Sequence, residues 1–330
     1  MEKIKIYAFE VREDERKDFQ AVKEKLDLEL ECTEDLLTME NIDLVKGCTG
    51  VTVLGQMRYG REMLDALKER GVLYLSTRTI GYNHIDIGYA KKIGIHVCNV
   101  SYGPGSVAEY TIMMMLLCLR HYKVSLWRTN VNDYSLSGLQ GRVLGDLTVG
   151  VMGTGRIGYA VLKNLTGFGC RLLAYDVHEN DAVKEIAEYA DLETLYRESD
   201  IISLHMPLME STYHLINRES IGKMKDNVII INCARGELMK IEDLIEGIEN
   251  KKIGALGLDC LEHEEGIIHQ DFRSDIISNR EMAYLRQFPN VVHTQHMAFY
   301  TDAAVRSMVY GGVEGIYDMS RGRVICNQLS

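Results

Sequence analysis

Residues 149–158, VGVMGTGRIG, set glycines at 153, 155 and 158 between an apolar run and the helix-like stretch YAVLKNLTGFG. A strand, a glycine-rich turn and a helix in that order form the context a dinucleotide-binding fingerprint requires, and context raises a weak motif to a strong one. Gly153 allows the tight turn, Gly155 lets the backbone approach a pyrophosphate, and Gly158 lets the helix lie close to the strand. The amides near Arg156 and Ile157 then face the phosphates. The next apolar run, RLLAYD, ends at Asp176, 18 positions beyond Gly158 (158 to 176). A carboxylate at that spacing accepts from the adenine ribose hydroxyls and repels a 2'-phosphate by like charge, which favours NAD over NADP. The bland alternatives are a glycine turn without a ligand and a solvated acid at a strand end. Each is weakened because the glycines predict where the acid falls.

Working outward, DIISLHMP (200–207), VIIINCARG (228–236), IGALGLDC (253–260) and VVHTQH (291–296) continue a series of parallel strands, each ending in a polar or glycine-containing turn. In such sheets the chemistry lies at the C-terminal strand ends. Upstream, KIKIYAF (3–9), GVTVL (50–54), VLYLSTR (72–78) and IHVCNV (95–100) alternate with helical stretches such as REMLDALKERG (61–71), an earlier βαβ series that starts within MEKIKIYAFE at residue 1. Between the two series, SVAEYTIMMMLLCLRHYKVSLWRT is expected to form one long helix from a capping Ser106 to Thr129, and TDAAVRSMVYGGVEGIYDMSRG (301–322) a helix returning to the first series. The expected fold is therefore α/β, with two Rossmann-like domains built on parallel sheets. A discontinuous substrate domain (1–101 and 298–330) encloses an inserted dinucleotide-binding domain (102–297), with a cleft between them.

Composition narrows the function classes. The net charge of −11, from 48 acidic and 37 basic side chains, disfavours a nucleic-acid partner. Eight cysteines (32, 48, 98, 118, 170, 233, 260 and 326) form no CxxC pair and no cluster with histidine, so they read as reduced thiols, and no metal site is expected. The apolar run TIMMMLLCL (111–119) is too short for a bilayer and is flanked by Glu109 and Arg120, and no charged leader precedes an apolar segment. The expected location is the cytoplasm, with no membrane partner.

Three further strand ends carry Arg235, then Asp259 and Glu264, then His296. Reducing a keto acid needs a fixed cation for the carboxylate and carbonyl, a proton donor for the nascent alkoxide and a hydride source. Arg235 has the planar guanidinium for the first task. His296 can donate a proton near neutral pH when Glu264 orients it and favours the imidazolium. Singly, each residue is more often an ion-pair arginine or a satisfied core histidine than a catalytic group. Their joint placement beside a dinucleotide turn favours the chemistry.

The segments STRTIGYNHIDIGYAKKIGIHVCNVSYGPGSVAEYTIMMMLLCLR, TVGVMGTGRIG, DIISLHMPL, INCARGEL, LDCLEHEEGI and PNVVHTQHMAFYTDAAV, in this order, resemble the D-isomer-specific 2-hydroxyacid dehydrogenases over essentially the whole chain. The resemblance is greatest to the D-lactate dehydrogenase branch, which includes the enzymes that supply D-lactate for vancomycin-resistant cell walls. It implies that Arg235 binds substrate, that Glu264 partners the histidine and that His296 is the acid/base. It implies further that Asp259 holds the nicotinamide carboxamide and that Met206, Pro207, Thr212, Cys233 and Ala234 line the cofactor. The backbone amides of Ile80 and Gly81 take the substrate carboxylate, and Tyr102 and Tyr300 stand around the substrate, where both also suit a domain interface. The chain departs from the pattern at Gln295, where the family has proline, and at Thr212, where this branch often has asparagine.

These readings lead to an NAD-dependent reduction of a small 2-keto acid, pyruvate to D-lactate before others, by a homodimer. Arg58 and the GQMRYG loop (55–60) keep open a (R)-2-hydroxyglutarate or D-2-hydroxyisocaproate dehydrogenase. An NAD-sensing, corepressor-like scaffold is the rival outside enzymes, disfavoured by the absence of an added interaction tail.

Overall fold

The computed structural model describes residues 3–330, so Met1 and Glu2 of the expected first strand lie outside the described residues. The chain divides into two compact units, Met1–Gly103 with Tyr300–Ser330, and Pro104–Phe299.

In the first unit five strands, β1 (Lys5–Ala8), β2 (Glu29–Cys32), β3 (Gly50–Val53), β4 (Tyr74–Thr77) and β5 (His96–Cys98), form a parallel sheet in the order β2-β1-β3-β4-β5. The order reverses between β1 and β3. Every side chain of β3 is buried, as expected of a parallel strand covered on both faces. Edge strand β2 reads ELEC, with Glu29 exposed and Leu30 buried, so it lacks the continuous apolar run that marks its neighbours. The helix Asp302–Ser320 packs against β4 and covers the sheet with Val309, Val313 and Ile316.

The second unit holds a parallel sheet of seven strands: β6 (Thr148–Met152), β7 (Arg171–Tyr175), β8 (Glu188–Tyr189), β9 (Ile201–Leu204), β10 (Val228–Asn232), β11 (Ile253–Leu258) and β12 (Val291–His293). Their order is β12-β11-β10-β9-β6-β7-β8. From β6 the chain first winds outward through β7 and β8, then crosses back to β9 and winds the other way. The crevice at the C-terminal ends of β6 and β9 is therefore the topological switch point, where ligands of open α/β sheets bind. β10 is buried at all five positions and forms the floor of the unit.

One expectation fails in detail. The helix expected over 106–129 is two helices, Gly105–Leu119 and Tyr122–Thr129, broken at His121, whose φ of 49° is left-handed. Pro104, not Ser106, occupies the N-cap position; Ser106 sits in the first turn with its hydroxyl buried and unpartnered. Past the break, Lys123 Nζ donates to the carbonyls of Arg286, Phe288 and Val291, at 2.6, 2.8 and 2.7 Å. It closes the C-terminal end of the helix Arg280–Leu285 and fastens the entry to β12. A continuous helix would rotate this lysine away from those acceptors. Among the described residues no helix is long and apolar enough to cross a membrane.

Replacing Lys123 by Met keeps the aliphatic stem and removes the donor that the Arg286, Phe288 and Val291 carbonyls share. The expected cost is roughly 1–3 kcal/mol, read as a fall of several degrees in the thermal unfolding midpoint. An unchanged midpoint shows that water replaces the ammonium without loss.

Candidate active site

The dinucleotide turn follows β6. Gly153 has φ 91°, and a Cβ there would lie 2.7 Å from the His205 carbonyl carbon; a Cβ on Gly158 would lie 1.9 Å from the Gly153 oxygen. Both contacts are with backbone, so neither position admits a side chain. At Gly155 a Cβ would meet nothing within 4 Å, so that side of the turn is open. Gly155 also caps the helix Arg156–Leu165, whose first amides point into the open side. A tight turn, an open middle glycine and a helix N-terminus together fit a pyrophosphate.

Asp176 follows β7 and turns one carboxylate oxygen to the Thr154 amide (2.6 Å) and hydroxyl (3.1 Å), while the other accepts from the His178 amide (3.0 Å). Burial pushes this carboxyl up in pKa, and those hydrogen bonds outweigh it, so the net shift is downward and the group is anionic. Thr154 also hydrogen-bonds the Tyr189 hydroxyl at 2.8 Å, tying the glycine turn to the edge strand β8. Sequence reasoning missed Thr154 and Tyr189 because their role depends on a contact across 35 residues.

Around the expected catalytic trio, the structure supplies a dense set of hydrogen bonds at the ends of β10, β11 and β12. Asn232, the last residue of β10, donates to the Arg235 carbonyl at 2.8 Å and accepts from the Ala234 amide at 2.9 Å, which shapes the turn that carries the guanidinium. Cys233 is part-buried, and burial raises its thiol pKa, so it remains protonated. Asp259 is buried beyond β11. Its Oδ1 accepts from the Thr294 hydroxyl (2.6 Å) and Met297 amide (2.9 Å), and its Oδ2 from the Ala298 amide (2.7 Å). Those donors bracket His296, whose φ of 54° is left-handed. A non-glycine residue in that region costs roughly 1–2 kcal/mol, which three hydrogen bonds to one carboxylate offset.

His296 Nδ1 meets Glu264 Oε1 at 2.5 Å, and Glu264 Oε2 accepts from the Leu261 amide at 3.0 Å. Burial pushes the imidazole pKa down. The hydrogen bond and charge of Glu264 push it up, Arg235 opposes and Asp259 assists, and the net shift is upward. With Nδ1 committed to Glu264, Nε2 is the nitrogen left to carry a transferable proton. His269 reaches the His296 carbonyl at 3.3 Å, and its ring meets Phe299 edge-on.

The other expected residues fall as follows. Met206 and Pro207 follow β9, beside the switch point. The Thr212 hydroxyl donates to the Pro207 carbonyl (2.7 Å) and accepts from the Met209 amide (2.8 Å), so its hydrogen bonds shape its own loop. In the first unit, Thr79 O accepts from the Val100 amide, Ile80 O from the Asn99 side chain at 2.6 Å, and Gly81 O from the Thr79 hydroxyl at 2.6 Å. In planar trans peptides the N–H points opposite to the C=O, so the Ile80 and Gly81 amides face away from these anchors. Tyr102 is half-buried; Tyr300 lies against Arg12, 5.1 Å from guanidinium carbon to ring centre, with its hydroxyl engaged by Asp14. Among the described residues no group of three or more His, Cys, Asp or Glu side chains is placed to hold a metal.

The comparisons agree with this geometry. Residues 112–298 match the family model described as D-isomer specific 2-hydroxyacid dehydrogenase, NAD binding domain. An aromatic 2-oxoacid reductase of Clostridium sporogenes is 44% identical over 93% of both chains. The D-lactate dehydrogenase of Escherichia coli is 37% identical over 99% of this chain and 100% of its own length. The structure of D-lactate dehydrogenase with NAD+ from Lactobacillus jensenii superimposes with a TM-score of 0.85 at 32% identity, covering 99% of this chain and 100% of that one.

Glu264→Gln removes the charge that raises the His296 pKa while keeping a hydrogen-bonding side chain. Followed by NMR, the imidazole is expected to titrate at lower pH than in the wild type; an unmoved titration means that another group sets its protonation.

Proposed function

Given that the chain belongs to the D-isomer-specific 2-hydroxyacid dehydrogenase family and binds NAD, we propose that it reduces a 2-keto acid to the D-2-hydroxy acid, with pyruvate as the principal substrate. The observation that carries this reading is the His296–Glu264 pair under the charge of Arg235, at the C-terminal ends of β10, β11 and β12, in the same parallel sheet as the dinucleotide turn. Bound NADH supplies the hydride. Arg235 pairs with the substrate carboxylate and polarises its keto oxygen, assisted by the amides of Ile80 and Gly81. His296 Nε2–H donates its proton to that oxygen as the alkoxide develops, and Glu264 stabilises the imidazolium beforehand and holds the ring afterwards. Asp259 keeps the His296 turn in place and retains lone-pair capacity for the nicotinamide carboxamide. Asp176 meets the adenine ribose. Tyr102 and Tyr300 remain in the proposal as residues around the substrate.

A second reading, reduction of an aromatic 2-keto acid, is favoured by the name of the 44%-identical relative. NADH oxidation with pyruvate, 2-ketobutyrate, 2-ketoisocaproate, 2-ketoglutarate and phenylpyruvate separates the two. The expected outcome is a kcat/KM for pyruvate at least about tenfold above that for phenylpyruvate, about 1.4 kcal/mol in transition-state stabilisation. The reverse ratio selects the aromatic reading, and NADH binding without turnover of any keto acid removes the enzymatic one.

The active form proposed is a homodimer. The helix Tyr122–Thr129 has no buried residue, yet it carries Tyr122, Leu126 and Trp127, and Val131, Tyr134, Leu136 and Val143 follow it exposed. Apolar surface of this extent marks an interface, and a second copy is the occupant expected for a family enzyme. Light scattering after size exclusion should show twice the chain mass of 37.4 kDa for the wild type, and the monomer for Leu126→Glu with Trp127→Glu. A wild-type monomer rules the dimer out.

A further inference from the structure

A second histidine–glutamate pair lies in the same unit, outside the groups that the chemistry uses. His214 Nε2 meets Glu262 Oε1 at 2.5 Å, and the Glu262 side chain is 3% exposed. The other Glu262 oxygen accepts from the Ile241 amide at 2.9 Å, where the helix after the arginine turn begins. The Glu262 carbonyl accepts from the Asn279 side chain at 3.0 Å. His214 is fixed with equal care: its amide donates to the Glu237 carbonyl and its carbonyl accepts from the Asn217 side chain, both at 2.9 Å. Its backbone is left-handed, with φ 51°, and the Tyr213 ring stacks on it at 3.9 Å.

These contacts join three segments that carry the site. His214 ends the loop that starts with Met206 and Pro207. Glu237 lies two residues beyond Arg235. Glu262 lies two residues before Glu264, and the amide of Leu261, the residue before Glu262, is the donor to Glu264 Oε2. The arginine turn presses on the same peptide: a Cβ on Gly236 would lie 2.0 Å from the Leu261 carbonyl carbon and 2.4 Å from the Glu262 amide nitrogen. A shift of Glu262 therefore carries the Leu261 amide and Glu264 with it. A buried polar pair is a poor device for stability alone, since well-packed apolar residues of the same volume serve as well or better. Its directional bonds do what apolar packing does not, which is to fix the register between turns.

We infer that His214 and Glu262 are positioning residues, a latch that holds the glutamate turn against the arginine turn and so sets how firmly Glu264 grips His296. The inference rests on the reading of His296 as the proton donor. With the latch open, the Glu264–His296 bond lengthens, and His296 keeps the downward pull of burial and Arg235 with less opposing it. Asp259 accepts from its turn, and His269 reaches its carbonyl. His293, which also feels the charge of Glu264, is driven by burial to a pKa of about 4 and is neutral in the working range. Reduction requires the protonated imidazole, so activity falls as pH rises through its pKa, and a lower pKa moves that fall to lower pH.

The decisive variant is the double substitution His214→Leu with Glu262→Leu, which removes both partners and leaves no buried charge. The holoenzyme variant should unfold near the wild-type temperature. Its alkaline limb of kcat/KM for keto-acid reduction should shift downward by about one pH unit, a tenfold loss above the limb and less than twofold well below it. The His296 imidazole should show the same shift by NMR. His214→Gln, whose amide still donates to Glu262, should restore the wild-type profile. Should the double variant fail to fold, Glu262→Gln, which keeps shape and removes charge, is read in the same two ways. A folded latch variant with the wild-type profile and wild-type His296 titration overturns the inference. A wild type that reduces no keto acid overturns the proposed function instead, and the NMR titration still decides whether the latch governs His296.

Discussion

A single buried carboxylate, Asp259, bears the weight of the proposed acid–base site. It accepts from a hydroxyl and two amides of one short turn, and that turn then presents His296 in a conformation the backbone would otherwise avoid. Only from this placement does Nδ1 point at Glu264. Burial of Asp259 pushes its own pKa up, and the three donors lower it. The carboxylate thus depends on the turn as the turn depends on the carboxylate. Gln295, which stands where the family has proline, sits within a turn whose three bonds to Asp259 are all in place.

The parallel sheet explains why so few residues suffice. Arg235, Asp259, Glu264 and His296 are spread over 62 positions (235 to 296) but follow three strands that are neighbours in the sheet. Each strand delivers its side chain to the C-terminal side of the sheet; the arginine turn is held by Asn232 at the end of its own strand, and the histidine turn by Asp259 at the end of the neighbouring strand. The network is charge-assisted at nearly every step, which suits the proposed role of holding a proton in place.

What was legible in the sequence, and what was not, divides along one line. Features encoded locally were readable: the glycines of 149–158, the apolar runs of the central strands, and the residue types at the strand ends. Strands β2 and β8 escaped notice because an edge strand four residues long with alternating glutamates, and one only two residues long, carry little periodicity. The break at His121 escaped because nothing nearby in sequence signals it. It is imposed by acceptors around residues 286–291, which hold Lys123 from across the unit. The same reasoning covers the site. Candidate acids and bases stood out by type and place, whereas the anchoring role of Asp259 and the pairing of His214 with Glu262 are contacts over 35 to 48 residues, which no local pattern reports.

The division of the chain at Gly103 and Tyr300 has an evolutionary consequence. Arg235, Asp259 and Glu264, the three groups whose charges act on His296, all lie within one unbroken stretch of the chain, while the other unit is assembled from two segments that flank it. Drift in the flanking segments changes none of those three charges. The two units can therefore diverge at different rates, each under its own constraints.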